Sequence, residues 1–261
     1  MKQWQSFLLV FVMVVFVSIY TGRDSLASFV WQEYRNADAA LLLDQSDVGL
    51  AMKIGNYYFN GGAYNLEKAE RAFQRAVKIE PGILWGHYQL ARIYFVKGDS
   101  VKAIEEINKE LKANPENLRS LYVRGLIFGY MENFAGAEED FRRFTLWAPK
   151  EWAGYNDLAW ILASERKYQE VKTVIESAMK EVPKADKNPW LWNSLGVAQL
   201  NLKENKKAQI SFEKANKLLG VITLEEWRKA YPGNDPAVAE SGLRAFQEAV
   251  DENLRRAKED V

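Results

Sequence analysis

Along most of this chain apolar residues recur three and four positions apart, which is the spacing of one face of a helix. In residues 84–117 the first half carries Leu84, Tyr88, Leu90, Ala91, Tyr94 and Phe95. The stretch "KGDS" then breaks the pattern, with Gly98 suited to a left-handed turn and Ser100 to the next helix cap. The second half resumes with Ala103, Ile104, Ile107 and Leu111, and Pro115 ends it. Proline fixes φ and has no backbone N–H, so it closes a helix rather than continuing one. Pro81, Pro115, Pro149 and Pro183 follow one another at intervals of 34 residues. One unit of helix, turn, helix, turn is therefore repeated, over 48–83, 84–117, 118–151, 152–185 and 189–222.

Laid in register, the units share a packing pattern. A small residue recurs in four of the first helices as Gly55, Ala91, Gly125 and Ala159, and in the fifth as Gly196. Three positions later stand Tyr58, Tyr94, Phe128, Leu162 and Gln199. The second helices carry Ala69, Ala103, Ala137 and Ala208, with Val171 as the exception, and four positions on Phe73, Ile107, Phe141, Phe212 and Ile175. A small and a large side chain one turn apart present a gap and a knob on one face, so Gly125 and Ala137 should tolerate no enlargement.

This pattern resembles the tetratricopeptide repeat, a 34-residue helical hairpin marked by Trp, Leu-Gly, Tyr, Ala, Phe and Pro. The fifth unit shows it well, in "WNSLG" (Trp192 to Gly196) followed by Ala208, Phe212 and Ala215. The resemblance covers residues 48–222. It departs from the family at Gln199 and Gly220, at Glu110 and Phe144 on a normally small site, and at Arg124 where Leu is usual. It implies an all-α helical-hairpin solenoid wound as a right-handed superhelix. Residues 223–261 follow as a cap: Thr223 and Glu226 make a capping box, Asp235 and Pro236 open a last helix, and Leu243, Phe246, Val250 and Leu254 form its apolar stripe.

The resemblance also implies that the first helices line a concave groove that binds partner peptides. Its groove positions fall here on Trp85, Tyr88, Arg92 and Phe95, on Arg119, Tyr122, Leu126 and Tyr130, on Asn156, Trp160 and Ser164, and on Trp190, Asn193 and Asn201. The first unit adds Met52, Asn56 and Phe59. Trp, Tyr and Arg are the residue types that dominate binding hot spots. Aromatics also fill ordinary cores, so this register leaves open whether each faces a partner or a neighbouring helix. A third reading seats a terminal helix in the groove. A family subtype grips chaperone tails with a lysine in the first helix. The matching positions are Met52, Tyr88, Tyr122, Asn156 and Asn193, none of them lysine, which speaks against that partner.

Ahead of the repeats, Phe7 to Tyr20 is apolar except for Ser18, with Lys2 before it and Arg23 and Asp24 after it. A signal peptide has an apolar stretch of about 7–15 residues and small residues at its cut, for which Ser25 to Ala27 would serve. A retained anchor needs about 17–25 apolar residues, and the span from Trp4 to Thr21 reaches that range. Residues 1–23 are read as one or the other. The repeats would then lie outside the cytoplasm on a single-pass anchor, or be secreted or periplasmic after cleavage. Residues 24–47 form an N-terminal helix and linker, with helix to Leu43, the break "DQSD", and Asp47 as cap of the next helix.

Composition narrows the function classes. Lys+Arg and Asp+Glu both number 35, without the basic excess of a general nucleic-acid binder. Cysteine is absent and His87 is the single histidine, which excludes thiolate chemistry and multi-histidine metal sites and leaves His87 as the one base available to a Ser-His-Asp triad. No nucleophile and base can be assembled around His87 by spacing, and "KENKK" (Lys203 to Lys207) reads as a solvated turn. The sequence thus points to no catalytic residue, no metal and no cofactor. The expected function is a membrane-tethered scaffold that binds a protein or peptide segment and helps assemble an envelope complex. The alternative is an envelope protein whose groove Trp and Tyr stack on a glycan or lipid-linked saccharide. Partners would be a protein segment, the membrane through the N-terminal helix, or a second copy of the chain, and not nucleic acid.

Overall fold

The computed structural model describes residues 22, 26–61, 63–231 and 234–259. The apolar run from Phe7 to Tyr20 lies outside the described residues, among which no helix is long and apolar enough to cross a membrane. The described residues are helical with short turns. Helix α1 runs over 26–34. It is followed by α2 (Ala37–Leu43), α3 (Val48–Asn60), α4 (Leu66–Ile79), α5 (Gly86–Val96), α6 (Ser100–Ala113) and α7 (Leu118–Tyr130). Then come α8 (Phe134–Trp147), α9 (Trp152–Ser164), α10 (Tyr168–Glu181), α11 (Pro189–Asn201), α12 (Asn205–Leu219), α13 (Leu224–Ala230) and α14 (Ala239–Glu259). The chain divides into two compact units, one ending at Leu90 and one beginning at Ala91.

In the first unit the expected single helix before Leu43 is divided. Arg35 takes a φ of 51°, and the Asn36 side chain accepts from the Ala39 amide to cap α2. Around this break Trp31, almost fully buried, stands edge-on to Tyr57 at 5.2 Å, and the Arg35 guanidinium lies 5.3 Å from both rings. Asp47 caps α3 by accepting from the Leu50 amide at 2.8 Å. Helices α3 and α4 form the first hairpin.

In the second unit α7 pairs with α8, α9 with α10 and α11 with α12, while α7 touches α9 and α9 touches α11. The knob-and-gap pattern is what locks each hairpin. A β-carbon on Gly125 would stand 2.9 Å from Phe141 Cε1, and one on Gly196 would stand 2.6 Å from Phe212 Cε1. Gly55 meets Phe73 in the same way in the first unit, at 2.7 Å. The turn between the two helices repeats as well. Gly98, Glu132, Arg166 and Lys203 all adopt φ between 59° and 80°. The cap of α6 is Asp99, which accepts from the Lys102 amide, and not the expected Ser100. An aspartate one residue earlier reaches the same amide while leaving Ser100 inside the helix.

The departures from the repeat pattern are compensated in place. Arg124 donates through Nε and Nη2 to the two oxygens of buried Asp140, each at 2.8 Å, and through Nη1 to Asn108. Gln199 is buried where an aromatic is usual, and its Oε1 accepts from the buried Ser211 hydroxyl at 2.7 Å. Buried Glu110 accepts from Asn114 and Asn117. Phe144 fills its normally small site because Gly154 on the next helix leaves the room.

The end of the second unit is closed by α13 and α14. Thr223 and Glu226 form the capping box expected from sequence. Leu243, Phe246, Val250 and Leu254 face α11, α12 and α13, with Val250 fully buried beside Ala215 and Leu219. This stripe covers the last apolar face, as a solenoid requires.

Candidate functional site

The first helices of the second unit carry two rows of side chains. The lower row is polar and crosses three helices. Tyr122 of α7 donates its hydroxyl to Asp157 Oδ2 of α9 at 2.5 Å. Asn156 donates through Nδ2 to Asp157 Oδ1 at 3.1 Å, and its Oδ1 accepts from the Ser194 hydroxyl of α11 at 2.9 Å. The upper row is aromatic. Phe95 of α5 stands 5.3 Å from Tyr130 of α7, which stands 5.2 Å from Trp160 of α9. Trp160 follows Asp157 by three residues, so the two rows meet on one face of α9.

Asp157 is half-buried, and its two neighbours on this face are neutral donors. Burial pushes its carboxyl up to about 6, against the opposing pull of Tyr122 and Asn156. Tyr231, just past α13, accepts from Trp190 Nε1 at 2.8 Å. Burial, and then the charges of Asp157 and Tyr130, push its phenol up to about 12.

The expected groove residues divide by placement. In the second unit Phe95, Tyr122, Asn156 and Trp160 are half-buried on the two rows, Tyr130 is 68% exposed and Arg119 is exposed. Arg92 and Asn193 are half-buried; Asn193 Oδ1 is buried and makes no hydrogen bond. Leu126 packs into the repeat core, while Ser164 and Asn201 are exposed and bond back to their own helices. Trp190 is buried. It stacks on Trp152 at 4.8 Å and on Trp227 at 6.0 Å, with Phe246 at 6.1 Å. It belongs to the joint between the fifth repeat and the cap. In the first unit Tyr88 and Phe59 are buried, Met52 is half-buried, and Asn56 accepts from Gln89 at 2.9 Å. Trp85 precedes α5 with φ 73° and meets Tyr88 edge-on at 5.2 Å, so it stands in a turn rather than on a helix face. His87 is buried with Nε2 3.1 Å from the Pro81 carbonyl. Among the described residues no group of three or more His, Cys, Asp or Glu is placed to hold a metal ion.

Asp157 and Ser194 were not reached from the repeat register, which pointed to their neighbours Asn156 and Asn193. The available signal was a single acid in the otherwise neutral helix "WAGYNDLAWILAS". A charge there needs a reason when the residues around it are apolar.

The fold has solved counterparts. A tetratricopeptide repeat protein from Parabacteroides merdae superposes with a TM-score of 0.61 at 18% identity, covering 92% of this chain and 99% of that one. The fold is that of the tetratricopeptide repeat. YrrB, a protein of this fold described as having an unusual peptide-binding site, gives a TM-score of 0.57 at 18% identity, over 71% of this chain and 93% of its own. MamA gives 0.57 at 18%, over 70% and 94%. The sequence profile of the tetratricopeptide repeat matches residues 191–218, within the fifth unit. No curated protein matches the sequence.

Proposed function

We propose that this chain is a membrane-tethered scaffold that holds a protein or peptide segment across the first helices of its repeats and so helps assemble an envelope complex. The observation that carries the binding reading is the pair of rows, polar on α7, α9 and α11 and aromatic on α5, α7 and α9. A bridged polar line, Tyr122–Asp157–Asn156–Ser194, runs beside an aromatic line, Phe95–Tyr130–Trp160, with exposed Tyr130 at its middle. Apolar rings beside oriented hydrogen-bonding groups suit an extended segment, whose backbone bonds to the polar line while its side chains rest on the rings. The tether rests on the apolar run from Phe7 to Tyr20. It carries the repeats across the membrane if the N-terminus stays inside.

The test begins with cross-linking the full chain to its partner in cells. Affinity is then measured for Trp160→Ala combined with Arg119→Ala. The expected loss is about 2 kcal/mol or more, as for truncated hot spots. Unchanged affinity in a folded double variant moves the binding surface elsewhere. A glycan array run on the same protein separates the saccharide reading, which requires sugar binding that the same double variant abolishes. Fractionation of cells decides the tether: full-length, uncleaved chain in the soluble cytoplasmic fraction refutes it.

A further inference from the structure

The carboxylate of Asp157 lacks the partner its chemistry calls for. An ionised carboxylate offers about four acceptor positions. Two are used, and both by neutral donors, the Tyr122 hydroxyl and the Asn156 amide. No lysine or arginine among the described residues pairs with it. Elsewhere in the second unit carboxylates do find cations: Asp140 holds Arg124, Glu138 holds Arg142 and Lys167, and Glu204 holds Lys172. The side chain is half-buried and its acid strength is lowered by that burial. Tyr122 and Asn156 nonetheless aim it and fix it, and Asn156 is itself anchored by Ser194.

The surroundings suit a cation. Trp160 lies one turn further along the same face of α9, and its ring is 5.2 Å from that of Tyr130, which is 68% exposed. Aromatic faces attract Lys and Arg heads, more strongly where water is excluded. A second acceptor also waits: Asn193 Oδ1, buried and without a hydrogen bond, stands on α11 at the register position of Asn156. An acidic ligand would face the carboxylate of Asp157 and find no lysine at the positions held by Tyr122, Asn156 and Asn193.

We propose that Asp157, flanked by Trp160 and Tyr130, is the anchor for a lysine or arginine side chain of the bound polypeptide segment. This deepens the binding function proposed above and rests on it. The occupant is chosen by charge complementarity: the cation restores the partner that the chain itself withholds, and its aliphatic stem lies along the rings.

The experiment uses the full chain in mild detergent on an array of ten-residue peptides with randomised flanks. Their central residue is Lys, Arg, Gln, Glu or Leu. Lys- and Arg-centred peptides are expected to bind at least ten-fold more tightly than Gln-centred ones, with Glu-centred peptides weakest. Asp157→Asn, shown to be folded by circular dichroism, is expected to abolish the preference, and Tyr130→Leu to reduce it several-fold. Tyr130 is exposed, so its variant decides the matter even if the Asn variant does not fold. Absence of a Lys or Arg preference overturns the inference, whether all peptides bind alike or none binds. A preference that survives either folded variant overturns it too. Tetramethylammonium binding as tightly as the peptides would overturn the assignment to a polypeptide. A cross-linked partner that is lost on Trp160→Ala with Arg119→Ala but tolerates Asp157→Asn refutes this anchor while leaving the binding function intact.

Discussion

The third and fifth repeats place Arg119 and Trp190 at the same register position, next to the start of the first helix, yet the two have opposite surroundings. Arg119 is exposed on α7. Trp190 is 8% exposed on α11, closed in by Trp152, Trp227, Tyr231 and Phe246. The helices that carry them are built alike. The difference comes from the C-terminal helices: α13 and α14 fold over the last repeat, and nothing equivalent among the described residues covers the third. Register therefore assigns a side chain to a face, and the next element decides whether that face is surface or core.

Replacing the two residues should expose this contrast most sharply. Trp190→Ala removes a buried indole from a cluster of aromatic rings and is expected to cost about 3–5 kcal/mol. Arg119→Ala at the same register position should stay within about 0.5 kcal/mol, as surface substitutions do. Chemical denaturation of both variants measures the gap. Equal costs would mean that the cap does not hold Trp190 and that the third and fifth repeats are alike in this respect.

The hairpin lock should behave in the reverse way, identically at both places. Gly125 faces Phe141 in the third repeat and Gly196 faces Phe212 in the fifth, both at distances that leave no room for a β-carbon. Gly125→Leu and Gly196→Leu should each destabilise by about 1–3 kcal/mol or more, since overpacking drives the paired helices apart. Melting curves that separate the two variants widely would show that the cap changes the hairpin beneath it, and curves that match the parent would break the shared register.

These cases show what could be read before the structure. The Gly–Phe pairs were legible because a small and a large residue recur at the same place in each unit, and recurrence marks a contact that every unit needs. The cap was legible because Thr223, Glu226 and the stripe from Leu243 to Leu254 are local signals. Trp190 was not separable from Arg119, because its burial depends on a helix some 50 residues later in the chain. Asp157 was missed for a related reason. Its hydrogen bond to Tyr122 spans 35 residues and joins two repeats, and it occurs once, so no periodicity reveals it. The split at Arg35 and Asn36 escaped because a single left-handed residue leaves no mark on hydrophobic spacing.

The smallest expected effect concerns Asp157, and it tests whether the open face carries a cost that the covered end does not. Its folded acid strength is near 6, against 3.8 for the ordinary side chain. Between those values the folded chain holds more protons at this site than the unfolded chain, so the stability contributed there falls as pH rises. Below about pH 3 both states are protonated and the cost vanishes; above about pH 7 both are ionised and it is complete. The groups hydrogen-bonded to the carboxylate are Tyr122 from α7 and Asn156 from its own helix. An asparagine at 157 keeps both contacts, since its oxygen accepts from Asn156 and its amide donates to the Tyr122 oxygen, whose hydroxyl can turn. Asp157→Asn should therefore be more stable than the parent by on the order of 1 kcal/mol at pH 7.5, with the gap narrowing toward pH 4 and closed by about pH 3. Parallel melts of the two proteins across that range read the difference directly, and common changes from the other carboxylates cancel. A gap that is constant with pH, or that opens toward acid, would mean that Asp157 is ionised at no cost in the free protein and has no need of a partner's cation.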